Sequence, residues 1–141
     1  MQKSVIIIGI IVVLAIAAYA ILGSQSQKNA ETQISEIKWR TDLNSALLEA
    51  KKTNKSVFID FYATWCSPCK LMEQNTYSNP EVIAKLNANY IPVKIDVDKN
   101  PQIVSEYKVY GYPTMVILNP NGIEIKRFSG YRDVNTFLNE I

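Results

Sequence analysis

The sequence contains no histidine and only two cysteines, and these shortages remove several classes of function. Without histidine the chain has no His-based general base, no Cys–His nucleophile pair and no zinc site of the common Cys/His type. Two cysteines cannot supply the four thiolates of an all-cysteine zinc site unless a second chain contributes. Chemistry is therefore expected at the two cysteines themselves, Cys66 and Cys69.

Net charge is also scarce. The 141 residues carry a formal charge of +2, and two of the bases, Lys3 and Lys28, precede the first acidic residue, Glu31. From Glu31 onward acids and bases balance, so the chain lacks the basic surface of a nucleic-acid-binding protein. With 48% hydrophobic and 20% charged residues, the composition is that of one packed domain with a short appendage.

Residues 4–22 (SVIIIGIIVVLAIAAYAIL) form an uncharged run of 19 residues. At about 1.5 Å per helical residue, such a run approaches the ~30 Å of a bilayer core. Lys3 ahead of it favours a cytoplasmic N-terminus and export of the remainder. We therefore predict a transmembrane signal-anchor over 1–23, a flexible polar tether over 24–33 and an extracytoplasmic domain over 34–141, held at the cell membrane by a single pass.

Cleavage of this segment is the alternative to its retention. Ala18-Tyr19-Ala20 matches the small-x-small pattern that signal peptidase recognises. The apolar run continues through Leu22, however, and exceeds the usual length of a cleavable signal. The pattern therefore favours a retained anchor.

The domain alternates between strand-like and helix-like hydrophobic patterns. The predicted order is β-α-β-α-β-α-β-β-α, which indicates an α/β fold with one mixed sheet. The predicted strands lie at 34–39, 56–62, 90–97, 114–118 and 123–129. The predicted helices begin after a cap at Thr41 or Asp42, after the cysteines, at Pro80, at Asn100-Pro101 and near Val134.

The apolar strand at 56–62 leads into Cys66-Ser67-Pro68-Cys69, and a helix leads out. If Cys66 is the helix N-cap, free N–H groups and the helix dipole stabilise its thiolate. Cys69, one turn further and more buried, is then the resolving thiol of a mixed disulfide. Pro68 fits the first helical turn, where its missing N–H costs nothing. The spacing predicts redox chemistry, with an inert disulfide or half of a shared zinc site as alternatives.

Two stretches of the domain resemble the thioredoxin superfamily. DFYATWCSPCK (60–70) is similar to the active-site segment, with Ser67 where the commonest members carry glycine. VKIDVDKNPQIVSEYKVYGYPTMVIL (93–118) is similar to the second half, including its Gly-x-Pro-Thr element. CKLMEQNTYSNPEV (69–82) lacks the helix-kinking proline of thioredoxin and looks more like the exported C-terminal domain of the DsbD-type thiol–disulfide interchange proteins.

The resemblance implies a thioredoxin fold, with a central mixed sheet flanked by helices, and a set of site residues. Pro113 is expected to follow a cis peptide bond and to face the cysteines, although the dipeptide alone favours trans. Asp60 is expected to be the buried carboxylate that accepts the proton of Cys69, with Lys94 as its partner; a solvated aspartate and a plain surface lysine are the alternatives. The expected substrate-binding residues are Trp65, Ser67, Pro68, Tyr112, Pro113 and Gly130.

Together these features predict a membrane-tethered thiol–disulfide oxidoreductase outside the cytoplasm. It would act on exported proteins, as a reductase or electron relay, and would be reduced again by a membrane or extracytoplasmic thiol donor. We expect a monomer that needs no cofactor beyond the cysteine pair and binds no nucleic acid. The alternatives are a non-enzymatic client-binding module and a site that binds a soft metal such as Cu(I).

Overall fold

The computed structural model describes residues 36–141. The predicted membrane segment (1–23) and tether (24–33) lie outside these residues. Within residues 36–141, no helix has both the length and the apolar character to span a membrane.

The described residues form five α-helices, one π-helical turn and four strands. The helices are α1 (Leu43–Thr53), α2 (Ser67–Leu71), α3 (Pro80–Asn89), α4 (Pro101–Glu106) and α5 (Val134–Glu140), and the π-helical turn (Met72–Thr76) continues α2. The strands are β1 (Ser56–Tyr62), β2 (Tyr90–Asp96), β3 (Thr114–Leu118) and β4 (Glu124–Ser129). The predicted α/β class is confirmed.

The four strands lie in the order β2-β1-β3-β4. β1 runs parallel to β2 and antiparallel to β3, and β4 runs antiparallel to β3. The sheet is therefore mixed, as predicted. β1 is central, and its carboxyl end carries the cysteine segment.

The first predicted strand, at 34–39, is wrong for the residues described. Only Arg40 pairs with β2, where its N–H donates to Pro92 O (2.8 Å) and its carbonyl accepts from Lys94 N (2.8 Å). The Asn87 side chain takes the place of further strand pairing, because its Oδ1 accepts from Lys38 N and its Nδ2 donates to Glu36 O. Asp42, two residues after this single pairing, is already the N-cap of α1.

The helix after the cysteines also differs from a simple α-helix. α2 passes into the π-helical turn, which buries Met72 and Thr76 and ends at Tyr77. A new helix, α3, begins after Asn79, whose Oδ1 accepts hydrogen bonds from Glu81 N and Val82 N. The predicted break and the predicted start at Pro80 are confirmed.

The sheet separates two layers of apolar core. Ile59 and Phe61 point into the layer that α1 covers, whereas Phe58 points into the layer formed with the π-helical turn, α3 and α5. Since alternate strand residues share a face, Asp60 points to the same side as Phe58. β1 is thus buried on both faces, and its one carboxylate lies in the second layer.

Candidate active site

Cys66 and Cys69 form a disulfide at the N-terminus of α2, with their Cα atoms 5.3 Å apart. Cys66 is the N-cap, as predicted, and its Sγ accepts a hydrogen bond from Cys69 N (3.2 Å). A helix N-terminus offers this sulfur unpaired N–H donors, which favour a thiolate once the disulfide is reduced. The two cysteines are 5% and 4% exposed, so the expected greater burial of Cys69 is not seen in the oxidised protein.

The local sequence explains this geometry. β1 ends at Tyr62, and a short turn closed by a hydrogen bond from Cys66 N to Ala63 O (3.2 Å) brings the chain to α2. Pro68 lies in the first turn of α2, where the helix requires no N–H donor from it. Ser67 and Pro68 are exposed, and they separate the buried cysteines in sequence.

The Tyr112–Pro113 peptide bond is cis, as the resemblance implied. Pro113 is buried, and its carbonyl accepts a hydrogen bond from Gly130 N (2.8 Å). Gly130 has a φ of 85°, a backbone conformation that glycine adopts without strain. Gly130 therefore lies beside Pro113, and Tyr112 packs against the core cluster that contains both cysteines.

Trp65 forms an exposed aromatic surface next to the disulfide. Its side chain is 63% exposed, and its ring stands edge-on to that of Tyr112, with centroids 5.9 Å apart. Trp65 Nε1 donates to Asp98 Oδ2 (2.9 Å), which fixes the orientation of the indole. Asp98 was not predicted as a site residue, since nothing in its sequence surroundings connects it with Trp65.

Asp60 is 2% exposed, so it does not face a solvated pocket. Burial raises the pKa of its carboxyl from 3.8 to about 7; the ammonium of Lys94 opposes this shift, the carboxylate of Glu73 adds to it, and the hydroxyl of Tyr77 lowers the pKa slightly. The Tyr77 hydroxyl is close enough to affect Asp60, but neither Asp60 Oδ1 nor Tyr77 Oη makes a hydrogen bond of acceptable geometry. Such a pKa suits a group that exchanges protons near neutral pH.

Lys94 lies directly opposite Asp60 in the parallel pairing of β1 with β2. Its side chain is 17% exposed and forms an ion pair with Glu73 of the π-helical turn. It is therefore not a plain surface lysine. Sequence reasoning missed Glu73 and Tyr77, although their spacing of four and eight residues from Cys69 matches one face of a helix.

A cavity of about 220 Å³ lies beside Cys69. Tyr62, Ala63, Thr64, Cys69, Lys70, Glu73 and Lys94 line it. The site thus combines a strand-to-helix cysteine pair, a buried carboxylate of raised pKa and a neighbouring cation. Among residues 36–141, no three Cys, Asp or Glu side chains cluster as metal ligands would.

Comparison with known proteins identifies relatives of this fold and site. A family model described as "Thioredoxin-like" matches residues 38–120. The chain is 32% identical to the thiol:disulfide interchange protein DsbD of Pseudomonas fluorescens over 114 residues, covering 77% of this chain and 20% of that protein. It is also 32% identical to the thioredoxin of Mycobacterium tuberculosis over 119 residues, covering 84% of this chain and 92% of that one.

Two solved structures are similar as well. One is a thioredoxin from Thermus thermophilus, with 28% identity, a TM-score of 0.67, and coverage of 74% of this chain and 84% of that one. The other is the oxidised C-terminal domain of DsbD from Neisseria meningitidis, with 29% identity, a TM-score of 0.61, and coverage of 70% and 92%. The chain spans about a fifth of the full length of the DsbD relative from Pseudomonas fluorescens.

Proposed function

This chain belongs to the thioredoxin-like family of thiol–disulfide oxidoreductases, and we propose that it exchanges disulfides with exported proteins while tethered to the cell membrane. The observation that carries the proposal is the Cys66–Cys69 disulfide at the start of α2. The exposed ring of Trp65 lies next to it and offers a client protein a flat apolar contact. The helix N-terminus favours the thiolate that such exchange requires.

In the reducing direction, the cycle begins with both cysteines as thiols. The Cys66 thiolate attacks a client disulfide, forms a mixed disulfide and releases one client sulfur as a thiolate. Cys69 then loses its proton to the Asp60 carboxylate and attacks Cys66 Sγ. The Cys66–Cys69 bond forms, the bond to the client breaks, and the client leaves reduced by two electrons.

Binding of an extended client segment is proposed beside Pro113. In strand addition, the free backbone groups of a groove pair with those of a peptide, and flanking side chains supply specificity. Tyr112 would contribute the backbone contact, and Trp65, Ser67, Pro68 and Gly130 would border the groove.

The location and the electron donor are proposals that rest on the sequence. The uncharged run at 4–22 supports a retained membrane anchor, and Lys3 supports export of the domain. Similarity to DsbD proteins supports a reductase or relay role, with re-reduction by a thiol protein of the membrane or of the same compartment. One membrane segment cannot itself carry electrons across a bilayer, so a separate donor is part of the proposal, as is a monomeric state.

The test is single-cysteine substitution in the full chain, held in detergent, with insulin as the disulfide substrate and, for turnover, dithiothreitol as the reductant that regenerates the thiols. We expect Cys66→Ser to abolish turnover, because the attacking thiolate is lost. We expect Cys69→Ser to accumulate a mixed disulfide, because nothing resolves it. Non-reducing electrophoresis and the turbidity of reduced insulin report the two outcomes.

Full turnover by both variants would show that the cysteine pair is not the reacting group. A reduction potential far below about −300 mV would indicate a structural disulfide and favour the client-binding alternative. Copper bound in stoichiometric amount to the purified reduced protein would favour the soft-metal alternative. These three outcomes separate the proposed function from its competitors.

A further inference from the structure

The ammonium of Lys94 lies in an aromatic cage formed by Trp39, Tyr62 and Tyr77. Its Nζ is 4.7 Å from the ring centroid of Tyr62, 5.3 Å from that of Trp39 and 6.0 Å from that of Tyr77. A cation within about 6 Å of a ring centroid, over the ring face, is attracted by the electron-rich ring. The three rings come from the segment before α1, the end of β1 and the residue after the π-helical turn, so only the tertiary fold assembles them.

The aromatic cage holds the Lys94 ammonium in a way that the partly exposed ion pair with Glu73 alone does not. Lysine has a flexible four-carbon stem, and the side chain of its partner Glu73 is 43% exposed, so solvent and salt weaken their attraction. The rings are themselves held in place. The Trp39 ring packs edge-on against Tyr77 (5.2 Å) and at a tilt against Phe58 (6.2 Å).

The position of the Lys94 ammonium matters for Asp60 because the two side chains share one face of the sheet. The two residues are direct partners in the parallel pairing of β1 and β2, so their side chains point to the same face. Glu73 from the π-helical turn and the hydroxyl of Tyr77 also act on Asp60. β3 contributes the uncharged Met115 at the paired position. The ammonium of Lys94 favours the Asp60 carboxylate, against the effect of burial, and this influence weakens as the distance between the two groups grows.

We propose that Trp39 and Tyr62 are positioning residues for the proton transfer in disulfide exchange, because their rings keep Lys94 Nζ beside Asp60. This inference rests on the proposed function, in which Asp60 receives the proton of Cys69. Cys69 lines the same cavity as Tyr62 and Lys94, so the cage borders the space next to the resolving thiol.

In the proton-transfer step, Cys69 loses its proton and becomes the nucleophile. The S–H proton of Cys69 passes to the Asp60 carboxylate, and the electron pair left on sulfur forms the new bond to Cys66 Sγ. The bond between Cys66 and the client sulfur breaks, and its electrons leave with the client thiolate. An ammonium that drifts away from Asp60 leaves the carboxyl protonated at a higher pH and unable to accept this proton.

The test is the pH titration of the Asp60 carboxyl carbon by NMR, in the oxidised full chain in detergent, comparing Tyr62→Leu with Tyr62→Phe. The leucine variant lacks the ring, so we expect the midpoint to rise. The attraction lost with one cation–π contact limits that rise to about half a pH unit. The phenylalanine variant keeps a ring face, so we expect the wild-type midpoint. The pH profile of single-turnover exchange by the reduced protein should move in the same direction.

The decisive comparison repeats Tyr62→Leu in a Lys94→Met protein, which lacks the cation. We expect Lys94→Met to raise the Asp60 midpoint by itself, and we expect Tyr62→Leu to add no further shift to it. Trp39→Leu should shift the midpoint in the same direction as Tyr62→Leu. Because the partly buried Trp39 packs against the core, thermal unfolding of this variant is measured in parallel. If it does not fold, Tyr62→Leu carries the test. Tyr110→Leu, which removes a 91% exposed ring outside the cage, is the matched control and should leave the midpoint unchanged.

An unchanged midpoint in Tyr62→Leu overturns the inference, as does an equal shift in the Lys94→Met background. Failure of the proposed function has a different signature. In that case the reduced wild-type protein does not exchange disulfides, whereas the titration of the oxidised protein still reports on the aromatic cage.

Discussion

Asp60 is an ionisable residue in the middle of an apolar strand, and its surroundings impose two opposing demands on it. Burial at 2% exposure favours the neutral carboxyl, whereas the ammonium of Lys94 favours the carboxylate. The balance raises the pKa to about 7, so both protonation states are accessible near neutral pH. A proton acceptor in a disulfide-exchange cycle needs this property, and it costs stability.

The stability cost of Asp60 has a defined pH dependence. Between about pH 4 and pH 7 the folded protein keeps the proton on Asp60 while the unfolded chain has released it. The stability that the folded protein gains by holding this proton is therefore complete below about pH 4, declines as the pH rises, and is lost above about pH 7. The Asp60→Asn variant has no charge to bury at any pH.

We predict that Asp60→Asn is more stable than the wild type above pH 7, by up to ~4 kcal/mol, and that the two converge near pH 4. Urea unfolding of the oxidised proteins at several pH values measures this difference. Glu106→Gln makes the same chemical change at an exposed residue and should show no comparable gain. A difference for Asp60→Asn that stays constant from pH 4 to pH 8 would contradict the assignment.

The family resemblance indicated both Asp60 and Lys94, and for Asp60 the cost of a carboxylate inside an apolar strand supports a functional role. The sequence did not indicate Glu73, Tyr77 or Trp39. Their relation to Asp60 depends on a π-helical turn and on a chain segment that crosses beside β2, and neither feature has a local sequence signature. Periodicity places Glu73 and Tyr77 on the same helix face as Cys69, but it does not show that this face meets Asp60.

At the scale of elements, α3 shows how one side chain sets the start of a helix. Asn79 Oδ1 accepts from Glu81 N (2.9 Å) and Val82 N (3.3 Å), so it satisfies two N–H groups that the helix itself cannot. Pro80 follows at the first helical position, where its fixed φ is already helical. The cap separates α3 from the π-helical turn that carries Glu73.

We predict that Asn79→Ala lowers the free energy of unfolding by about 1 kcal/mol, because two N–H groups lose their acceptor. Asn79→Asp keeps an acceptor and places a negative charge at the helix N-terminus, so it should retain wild-type stability. Urea unfolding measures both variants. Equal losses in the two variants would show that the amide NH₂ group, and not capping by the side-chain oxygen, is what matters at this position.

Helix and strand positions were predicted well where the pattern is local. The limits of β1 and β3 match the predicted runs at 56–62 and 114–118, because continuous apolar stretches bounded by polar residues mark buried strands. Over its described residues, 36–39, the predicted strand was wrong because its alternation is weak and the Asn87 amide binds its backbone groups in place of a neighbouring strand. Whether a short extended segment pairs is decided by its partner.

At the scale of the whole molecule, the sequence joins a redox domain to an uncharged N-terminal run. The two parts need different surroundings. The domain buries its apolar residues around one sheet, whereas the uncharged sequence of residues 4–22 offers no polar face to water. Tethering would keep the cysteines near a membrane donor without fixing the orientation of the domain.

We predict that the full chain fractionates with membranes, resists extraction by high salt and is released by detergent. A chain that begins at residue 34 should be soluble, and Leu14→Lys should weaken insertion, because a charge at the centre of a membrane helix costs about 3 kcal/mol. Proteolysis from outside intact cells, followed by detection of the domain, measures its side of the membrane. A soluble product that begins at Ile21 would instead indicate cleavage after Ala20.

The sequence by itself determined the mixed α/β fold, the cysteine pair at a strand-to-helix junction and the chemistry that the missing histidines leave open. These follow from local patterns and from composition, which a chain carries however it folds. Only the tertiary structure decided the cis geometry at Pro113, the burial and raised pKa of Asp60, and the cage around Lys94. The reason is physical: pKa values and cation–π contacts depend on distances between residues far apart in the chain. The parallel pairing of β1 with β2 places Lys94 opposite Asp60, whereas the π-helical turn and the segment beside β2 bring Tyr77 and Trp39 to Lys94.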